Sequence, residues 1–199
     1  MKLDATTVME KKLTIGLVLN PLAGVGGPAA LKGSDGAELY KLATELGYES
    51  KVADRVSRTF EVLASCFHEF RVLTVSGPMG ADLCKKISEH QPGFDFDVCV
   101  EFELESRLTE PVHTIEAARH LVDAGVDIIL FAGGDGTAIN IHDALDANAR
   151  QLVLGIPCGV KMHSGVFAVS PEAAGIVLQQ LIEGELVGVT SREVRDIDE

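Results

Sequence analysis

The feature that most constrains this chain is a repeated order of short apolar runs followed by segments with helical spacing. Five runs are predicted as strands: 13–19, 71–76, 96–102, 127–132 and 151–157. Six segments are predicted as helices: 36–48, 57–70, 79–90, 109–125, 136–147 and 170–184. Because the strand runs are apolar throughout and do not alternate, both faces of the sheet should be covered. The order predicts a mostly parallel, Rossmann-like α/β sheet with helices on both faces.

Several helix ends carry signals of their own. Thr109 and Ser170 are predicted as N-caps, and a proline follows closely after each. Gly125 is predicted to end the helix over 109–125. Segment 185–199 is rich in apolar and β-branched residues, so we expect it to begin a C-terminal β domain after an α/β domain over 1–184.

The strand over 127–132 ends in Gly133-Gly134-Asp135-Gly136-Thr137, and a helix-compatible segment follows. Parallel sheets bind ligands at the carboxyl ends of their strands. A helix that begins there presents free N–H groups and partial positive charge, and glycines let a phosphate approach the backbone. The turn is therefore a candidate phosphate cradle.

The carboxylate of Asp135 would repel a phosphate unless it has a chemical task. Two such tasks are open to the Asp135 carboxylate: it would bridge to Mg²⁺ or take the proton of an attacking hydroxyl. Two structural alternatives stay open: Asp-Gly favours a hairpin turn, and Asp135 is also a suitable helix N-cap. Thr137 is expected either to donate its hydroxyl to a phosphate oxygen or to cap the helix.

Composition limits the partners. Asp and Glu total 30 against 17 Lys and Arg, a net charge of −13, which disfavours binding to nucleic acid or to a membrane surface. The four cysteines form no C-x-x-C pair and are expected to be free thiols. The N-terminus has no apolar core typical of a signal peptide, and no run is long enough to span a bilayer. We therefore expect a cytoplasmic protein.

Three blocks resemble one superfamily, that of the NAD kinases and diacylglycerol kinases. The sequence "GGDGT" over 133–137 resembles its signature, and "NPLAGVGG" over 20–27 resembles the Asn-Pro loop of the lipid-kinase branch. The sequence "GIPCGVKMHSGVFAVSPEAAG" over 155–175 resembles the third block of the ATP-NAD kinase-like group. The blocks follow the family's order, and the resemblance covers roughly residues 13–199.

The resemblance implies a phosphotransferase that moves a phosphoryl group from ATP, or polyphosphate, to the 2′-hydroxyl of NAD with Mg²⁺. It implies two domains, an α/β domain and a β-sandwich that helps to hold the acceptor, and assembly as a homo-oligomer. NAD kinases also carry an Asn-Glu or Asn-Asp pair in the second domain, and no such pair stands in position here.

The resemblance also implies roles for individual residues. Asp135 would be the catalytic base or help to place the metal, and the glycines of the turn with Thr137 would bind phosphate. In the first loop, Asn20 would bind phosphate or ribose, although a simple Asx turn before Pro21 explains it equally well. Gly24, Gly26 and Gly27 would let that loop close over the nucleotide, or would simply make it a flexible connector.

The loop after residue 157 supplies further candidates. The resemblance implies that Lys161 binds phosphate, and its position near glycines after a buried strand in a chain with few basic residues favours this over an ordinary solvated surface lysine. Gly159, His163 and Ser164 surround it, and His163 suits a ligand contact or an ordinary surface position equally. Cys158 is expected only to pack, since nothing nearby would activate a thiol.

Two other functions remain open. One is a kinase of the same fold that acts on a lipid or a small alcohol, as the Asn-Pro loop suggests. The other is a nucleotide-sensing protein that binds NAD or ATP without turnover.

Overall fold

The computed structural model describes residues 12–24, 50–102, 109–145, 150–159, 162–185, 188–191 and 193–195. Five strands form one sheet: β1 Leu13–Leu19, β2 Phe70–Val75, β3 Phe96–Val100, β4 Ile128–Gly133 and β5 Leu152–Pro157. Five α-helices are described with them: α1 Val52–Leu63, α2 Ala81–His90, α3 Pro111–Asp123, α4 Asp135–Ala144 and α5 Pro171–Ile182. A short 3₁₀ helix, Gly77–Met79, precedes α2.

The sheet has the strand order β3-β2-β1-β4-β5, and every pair is parallel. Successive strands run outward from β1 to β3 on one side and from β4 to β5 on the other. The order reverses between β1 and β4, so the crevice outside their carboxyl ends is the usual position for a ligand in a sheet of this kind. The prediction of a parallel α/β sheet is confirmed.

Helices cover both faces, as predicted. On one face α1, α2 and α5 pack on the sheet, and Phe60, Cys84 and Leu178 are fully buried there. On the other face α3 and α4 pack, with Leu121 and Ile141 in the core. All six residues of β4 are buried because this central strand contributes side chains to both cores.

The predicted strands are confirmed, although the strand over 96–102 ends at Val100. The helix predicted over 57–70 was misplaced: α1 begins at Val52 and ends at Leu63, and Phe70 opens β2. The buried positions Val52, Val56 and Phe60 set the register of α1, whereas the segment after it turns toward the sheet. The first residues of the predicted segment, Ser57 to Thr59, therefore lie in the middle of the helix.

The remaining helix ends differ by a few residues. Met79 and Gly80 precede α2, and α4 begins at Asp135 and ends at Ala144. Ser170 caps α5, because its side chain accepts from the backbone N–H of Ala173 over 3.1 Å. Thr109 is not the cap of α3: Glu110 takes that position and forms a capping box with His113.

Two predicted segments have limited structural information. The helix predicted over 36–48 lies outside the described residues, as do Gly26 and Gly27 of the first loop. In the segment 185–199, the described residues form no strand, and Glu193 and Arg195 instead make hydrogen bonds with the chain after β5. None of the helices in the described ranges is long and apolar enough to cross a bilayer.

Candidate functional site

The candidate site lies at the carboxyl ends of β1 and β4, where the strand order reverses. The backbone N–H of Asn20 continues the pairing by donating to the carbonyl of Ala132 over 2.9 Å. The side-chain amide of Asn20 donates to Thr137 Oγ1 over 3.0 Å. Two of the three sequence blocks, far apart in the chain, therefore meet at the edge that the topology reserves for a ligand.

The glycine turn leads directly from β4 into α4. Gly134 is the N-cap of α4 in an extended conformation, and no side chain caps this helix end. The hairpin alternative is wrong, because β4 and β5 are parallel and a helix follows the turn. The helix therefore begins with backbone N–H groups that have no partner within the helix, at the edge of the sheet.

Asp135 is the first residue of α4 rather than its N-cap, so the capping alternative is also wrong. Its carboxylate accepts two hydrogen bonds from the loop after β5. Oδ2 accepts from the backbone N–H of His163 over 2.8 Å, and Oδ1 accepts from that of Ser164 over 3.0 Å. These bonds fix the orientation of a half-buried carboxylate, and each oxygen keeps a second lone pair for another partner.

The glycines of the turn have different tasks. A Cβ on Gly133 would lie 2.3 Å from Thr137 Oγ1, so Gly133 is required by packing. A Cβ on Gly136 would meet nothing within 4 Å, and this residue is exposed. Gly134 faces Gly159, since a Cβ on Gly159 would lie 3.5 Å from the Cα of Gly134. The backbone of the turn is thus open to a ligand at Gly136 and narrow between Gly134 and Gly159.

Thr137 lies inside the protein, with only 3% of its surface exposed. Its hydroxyl oxygen accepts the bond from Asn20, and it caps no helix. The bond joins the first turn of α4 to the loop after β1. Since the hydroxyl is the acceptor in this bond, its donation to a phosphate oxygen stays a prediction.

The loop after β1 contains the Asx turn that the sequence left open. Asn20 Oδ1 accepts from the backbone N–H of Leu22 over 3.0 Å, and Pro21 lies half-buried between them. Gly24 has a φ of +78°, a region that L side chains rarely adopt, and a Cβ there would lie 2.3 Å from the Cys158 carbonyl oxygen. This loop therefore packs against the end of β5, and the amide of Asn20 is largely occupied in holding it.

The loop after β5 approaches the turn through its backbone. His163 is exposed, whereas Ser164 is buried, with its hydroxyl against the backbone of Arg195. The Arg195 N–H donates to Ser164 Oγ over 3.1 Å, and Ser164 Oγ lies 3.3 Å from the Arg195 carbonyl oxygen. Lys161 lies outside the described residues. The Ser164 hydroxyl thus makes its hydrogen bonds with the backbone of Arg195 and not with the glycine turn.

Sequence reasoning missed two residues at this edge. Arg55 of α1 donates through Nη1 to the carbonyl oxygen of Pro157, the last residue of β5. The segment ending in Arg195 meets Ser164, which in turn holds Asp135. The misplaced start of α1 concealed Arg55, although the spacing of Val52 and Val56 would have placed it in a helix.

Cys158 packs, as predicted. Burial raises the pKa of its thiol to about 11, against the opposing effect of the Arg55 guanidinium beside it. Raising the pKa of a thiol keeps it protonated and unreactive at neutral pH. Cys158 is therefore a wall of the site and not a nucleophile.

The described residues at this edge provide too few ligands to bind a metal ion without a substrate. No cluster of three or more His, Cys, Asp or Glu residues suitable for a metal exists within the described ranges. Mg²⁺ commonly needs only one or two carboxylates when phosphates of a substrate supply the other ligands. Asp135 fits that arrangement, because both of its oxygens keep an unused lone pair.

An open parallel sheet with a glycine turn at its switch point defines a class of α/β domains that bind phosphorylated ligands. The family model for the ATP-NAD kinase N-terminal domain matches residues 15–186 of the 199. The chain belongs to this family, which assigns it to the kinases, as the sequence resemblance implied. No curated protein matches the chain.

Proposed function

We propose that this protein transfers a phosphoryl group from ATP, or from polyphosphate, to the 2′-hydroxyl of NAD and so forms NADP. Membership of the ATP-NAD kinase N-terminal domain family supports a kinase that acts on NAD. The donor and the acceptor hydroxyl are those that the family resemblance implies, and the roles of individual residues are argued from the geometry of the site.

The observation that carries the proposal is the placement of Asp135. This carboxylate stands at the start of α4, where a helix begins between open glycine backbone and a fixed loop. Two backbone N–H groups hold it in one orientation, at 2.8 and 3.0 Å. A carboxylate held in this way beside a phosphate-binding edge is suited to accept a proton from an attacking hydroxyl.

The other residues would bind and orient the substrates. The first N–H groups of α4 would bind a phosphate, and the open backbone at Gly136 would let it approach. Asn20 and Thr137 would keep α4 and the loop after β1 in register. Asp135 would take the proton from the 2′-hydroxyl while the hydroxyl oxygen attacks the terminal phosphorus of the donor. The nucleoside diphosphate, or the shortened polyphosphate, would leave.

Mg²⁺ fits the site as an ion carried by the donor's phosphates, with Asp135 as its carboxylate ligand. When bound, it would neutralise negative charge that develops on the transferring group. In a chain of net charge −13 this neutralisation matters, because few basic residues are available to replace it.

The test is an incubation of the full-length protein with ATP, Mg²⁺ and NAD, in which NADP is measured with an NADP-specific dehydrogenase. A parallel series replaces ATP with polyphosphate. We expect Asp135→Asn to lower kcat by about 10²-fold or more, the lower bound for a general base. Asp143→Asn is the matched control, since Asp143 is an exposed residue of the same helix.

The stability of Asp135→Asn must be measured beside its activity. An asparagine keeps one acceptor oxygen but turns an NH₂ group toward a backbone donor, so one of the two bonds is lost at a cost of about 1–3 kcal/mol. A folded variant with near-normal kcat would exclude Asp135 as the base. A wild-type protein that makes no NADP would exclude NAD as the acceptor, and lipids and small alcohols would be tested next.

A further inference from the structure

Arg55 carries a positive charge at the carboxyl edge of the sheet. It lies in none of the three sequence blocks that resemble the kinase superfamily. Its guanidinium donates to the carbonyl oxygen of Pro157 and lies beside Cys158. Pro157 is paired with Gly133 in the register of β4 and β5, and Cys158 N–H donates to the Gly133 carbonyl over 2.9 Å. The guanidinium is therefore anchored to the strand end adjacent to the glycine turn.

The surroundings of Arg55 differ from those of the paired arginines. Arg58 lies against Glu172, and Arg71 lies against Asp97. Arg55 is half-buried, and no carboxylate in the described part of the chain lies within 4.0 Å of it. A half-buried charge with no carboxylate partner among the described residues is unfavourable, so its presence in so acidic a chain points to an anion supplied from outside.

The chain beside Arg55 is closely packed at the sheet edge, and glycines allow the backbone segments to approach each other there. Gly24 packs so tightly on the Cys158 carbonyl that a Cβ would lie 2.3 Å from it. Gly159 follows Cys158 and faces Gly134 of the glycine turn. Arg55 thus stands at one end of a stretch lined by glycine backbone, and α4 begins at the other.

We propose that Arg55 binds the phosphoryl chain of the donor, whether that chain belongs to ATP or to inorganic polyphosphate. This inference rests on the proposed function, because it assigns a residue to the donor of that reaction. One N–H group of the guanidinium donates to Pro157 and the group also contacts the Cys158 thiol, while the fork carries further donors that suit phosphate oxygens. The planar fork of an arginine matches a phosphate better than the point charge of a lysine does.

The experiment measures thermal unfolding of the full-length protein with increasing inorganic tripolyphosphate, with ATP, or with adenosine as the phosphate-free arm. A ligand that binds only the folded state raises Tm. Wild type should gain Tm with tripolyphosphate and with ATP. We expect Arg55→Gln to lose most of both gains and to raise the KM for ATP about tenfold or more, as for the loss of a charge-assisted hydrogen bond.

Arg58→Gln is the matched control, because Arg58 lies on the same helix, is exposed and has a carboxylate partner. It should keep the wild-type gains. Arg55→Lys is the second variant: it retains the charge and should retain part of the gain. It also keeps the inference testable if Arg55→Gln unfolds, since a lysine preserves a donor for the Pro157 carbonyl.

Three results would overturn the inference: wild type gains no Tm from either phosphate ligand, Arg55→Gln keeps the wild-type gains, or Arg58→Gln loses as much as Arg55→Gln. A gain from ATP alone would identify a nucleotide donor, and a gain from both ligands would show that the phosphates suffice. NADP formation is a separate readout. Loss of the gains in Arg55→Gln without any NADP from wild type would support the anion site and reject NAD as acceptor.

Discussion

The side-chain amide of Asn20 donates a hydrogen bond to Thr137 Oγ1 over 3.0 Å, and this bond joins the chain after β1 to the first turn of α4. The two residues are 117 positions apart, and they meet because β1 and β4 are neighbours in the sheet. The bond spans the point where the strand order reverses. It therefore holds together the two loops between which a ligand would bind.

Thr137→Val tests this bond with little change of volume. The variant removes the acceptor and leaves a half-buried amide unpaired, so we expect the free energy of unfolding to fall by about 1–3 kcal/mol. Urea denaturation measures the change. Thr137→Ser keeps the oxygen and should lose less; a valine variant as stable as wild type would show that the bond contributes nothing.

Gly133→Ala and Gly136→Ala should separate packing from ligand approach. A Cβ at Gly133 would lie 2.3 Å from Thr137 Oγ1, and we expect overpacking to lower stability by about 1–3 kcal/mol. At Gly136 the same methyl meets nothing within 4 Å, so stability should stay equal or rise by up to about 1 kcal/mol.

Activity should respond in a different way at Gly136. If the protein has the proposed function, the methyl group of Gly136→Ala occupies the place where a phosphate approaches the backbone. We therefore expect kcat/KM to fall about tenfold or more. Steady-state kinetics with ATP and NAD beside urea denaturation give both quantities. Full activity in a stable Gly136→Ala protein would mean that the phosphate does not approach at this position.

Ser164→Ala should show whether the segment 193–195 helps to position Asp135. The Ser164 N–H donates to Asp135 over 3.0 Å, and its hydroxyl bonds to the backbone of Arg195. Loss of the hydroxyl should speed hydrogen exchange of the Arg195 amide and lower kcat about tenfold, because small misplacements of catalytic groups are costly. The KM for ATP should stay within about twofold, since the Ser164 hydroxyl makes no contact with ATP on this assignment.

Ser164→Thr retains the hydroxyl and should restore kcat. Faster exchange at Arg195 with unchanged kcat would separate the segment 193–195 from the reaction. A raised KM for ATP with normal kcat would instead favour Ser164 as a residue that binds the nucleotide, the role for which the sequence made it a candidate.

The lowered pKa of Glu183 predicts how the free energy of unfolding depends on pH. Hydrogen bonds from His68, at 2.7 Å, and from the Phe67 N–H hold the pKa of this carboxyl below its ordinary value of 4.5. A lowered pKa stabilises the folded state above pH 4.5, and this contribution is lost as the pH falls through the folded-state pKa. Burial, and after it the negative charge of Glu183, raises the pKa of the Cys66 thiol.

Glu183→Gln should lack this part of the acid sensitivity. Urea denaturation at neutral pH and at several values below pH 4.5 should show the variant less stable than wild type at neutral pH and converging with it in acid. Glu185→Gln, at an exposed position two residues further on, should follow the wild-type curve. Parallel curves for Glu183→Gln and wild type would contradict the assignment.

Local signals predicted much of the fold. The apolar run of β4 indicated a strand covered on both faces, and all six of its residues are buried. Ser170 and Gly125 marked helix ends that the structure confirms, since Ser170 caps α5 and Gly125 has a φ of +76°. The bounds of α1 were wrong because apolar residues continue past Leu63 at spacings that a helix or a strand can use.

The candidate site was predictable only in its residue types. Amino-acid order placed Asp135 among glycines after a strand, and it left open whether that carboxylate capped a helix, made a hairpin or had a catalytic task. The orientation of the carboxylate depends on the loop after β5, because the donors His163 and Ser164 lie 28 and 29 residues further along the chain. No local pattern reports a partner at that separation.

By itself, then, the sequence determined the parallel α/β architecture, the glycine turn and the family, because strand period, helix caps and motif spacing act within a few residues. Only the tertiary structure decided that Thr137 is buried against Asn20, that Ser164 serves Arg195, and that Arg55 reaches the end of β5. These contacts depend on the order of strands in the sheet. That order is set by the packing of both cores at once and not by any one segment.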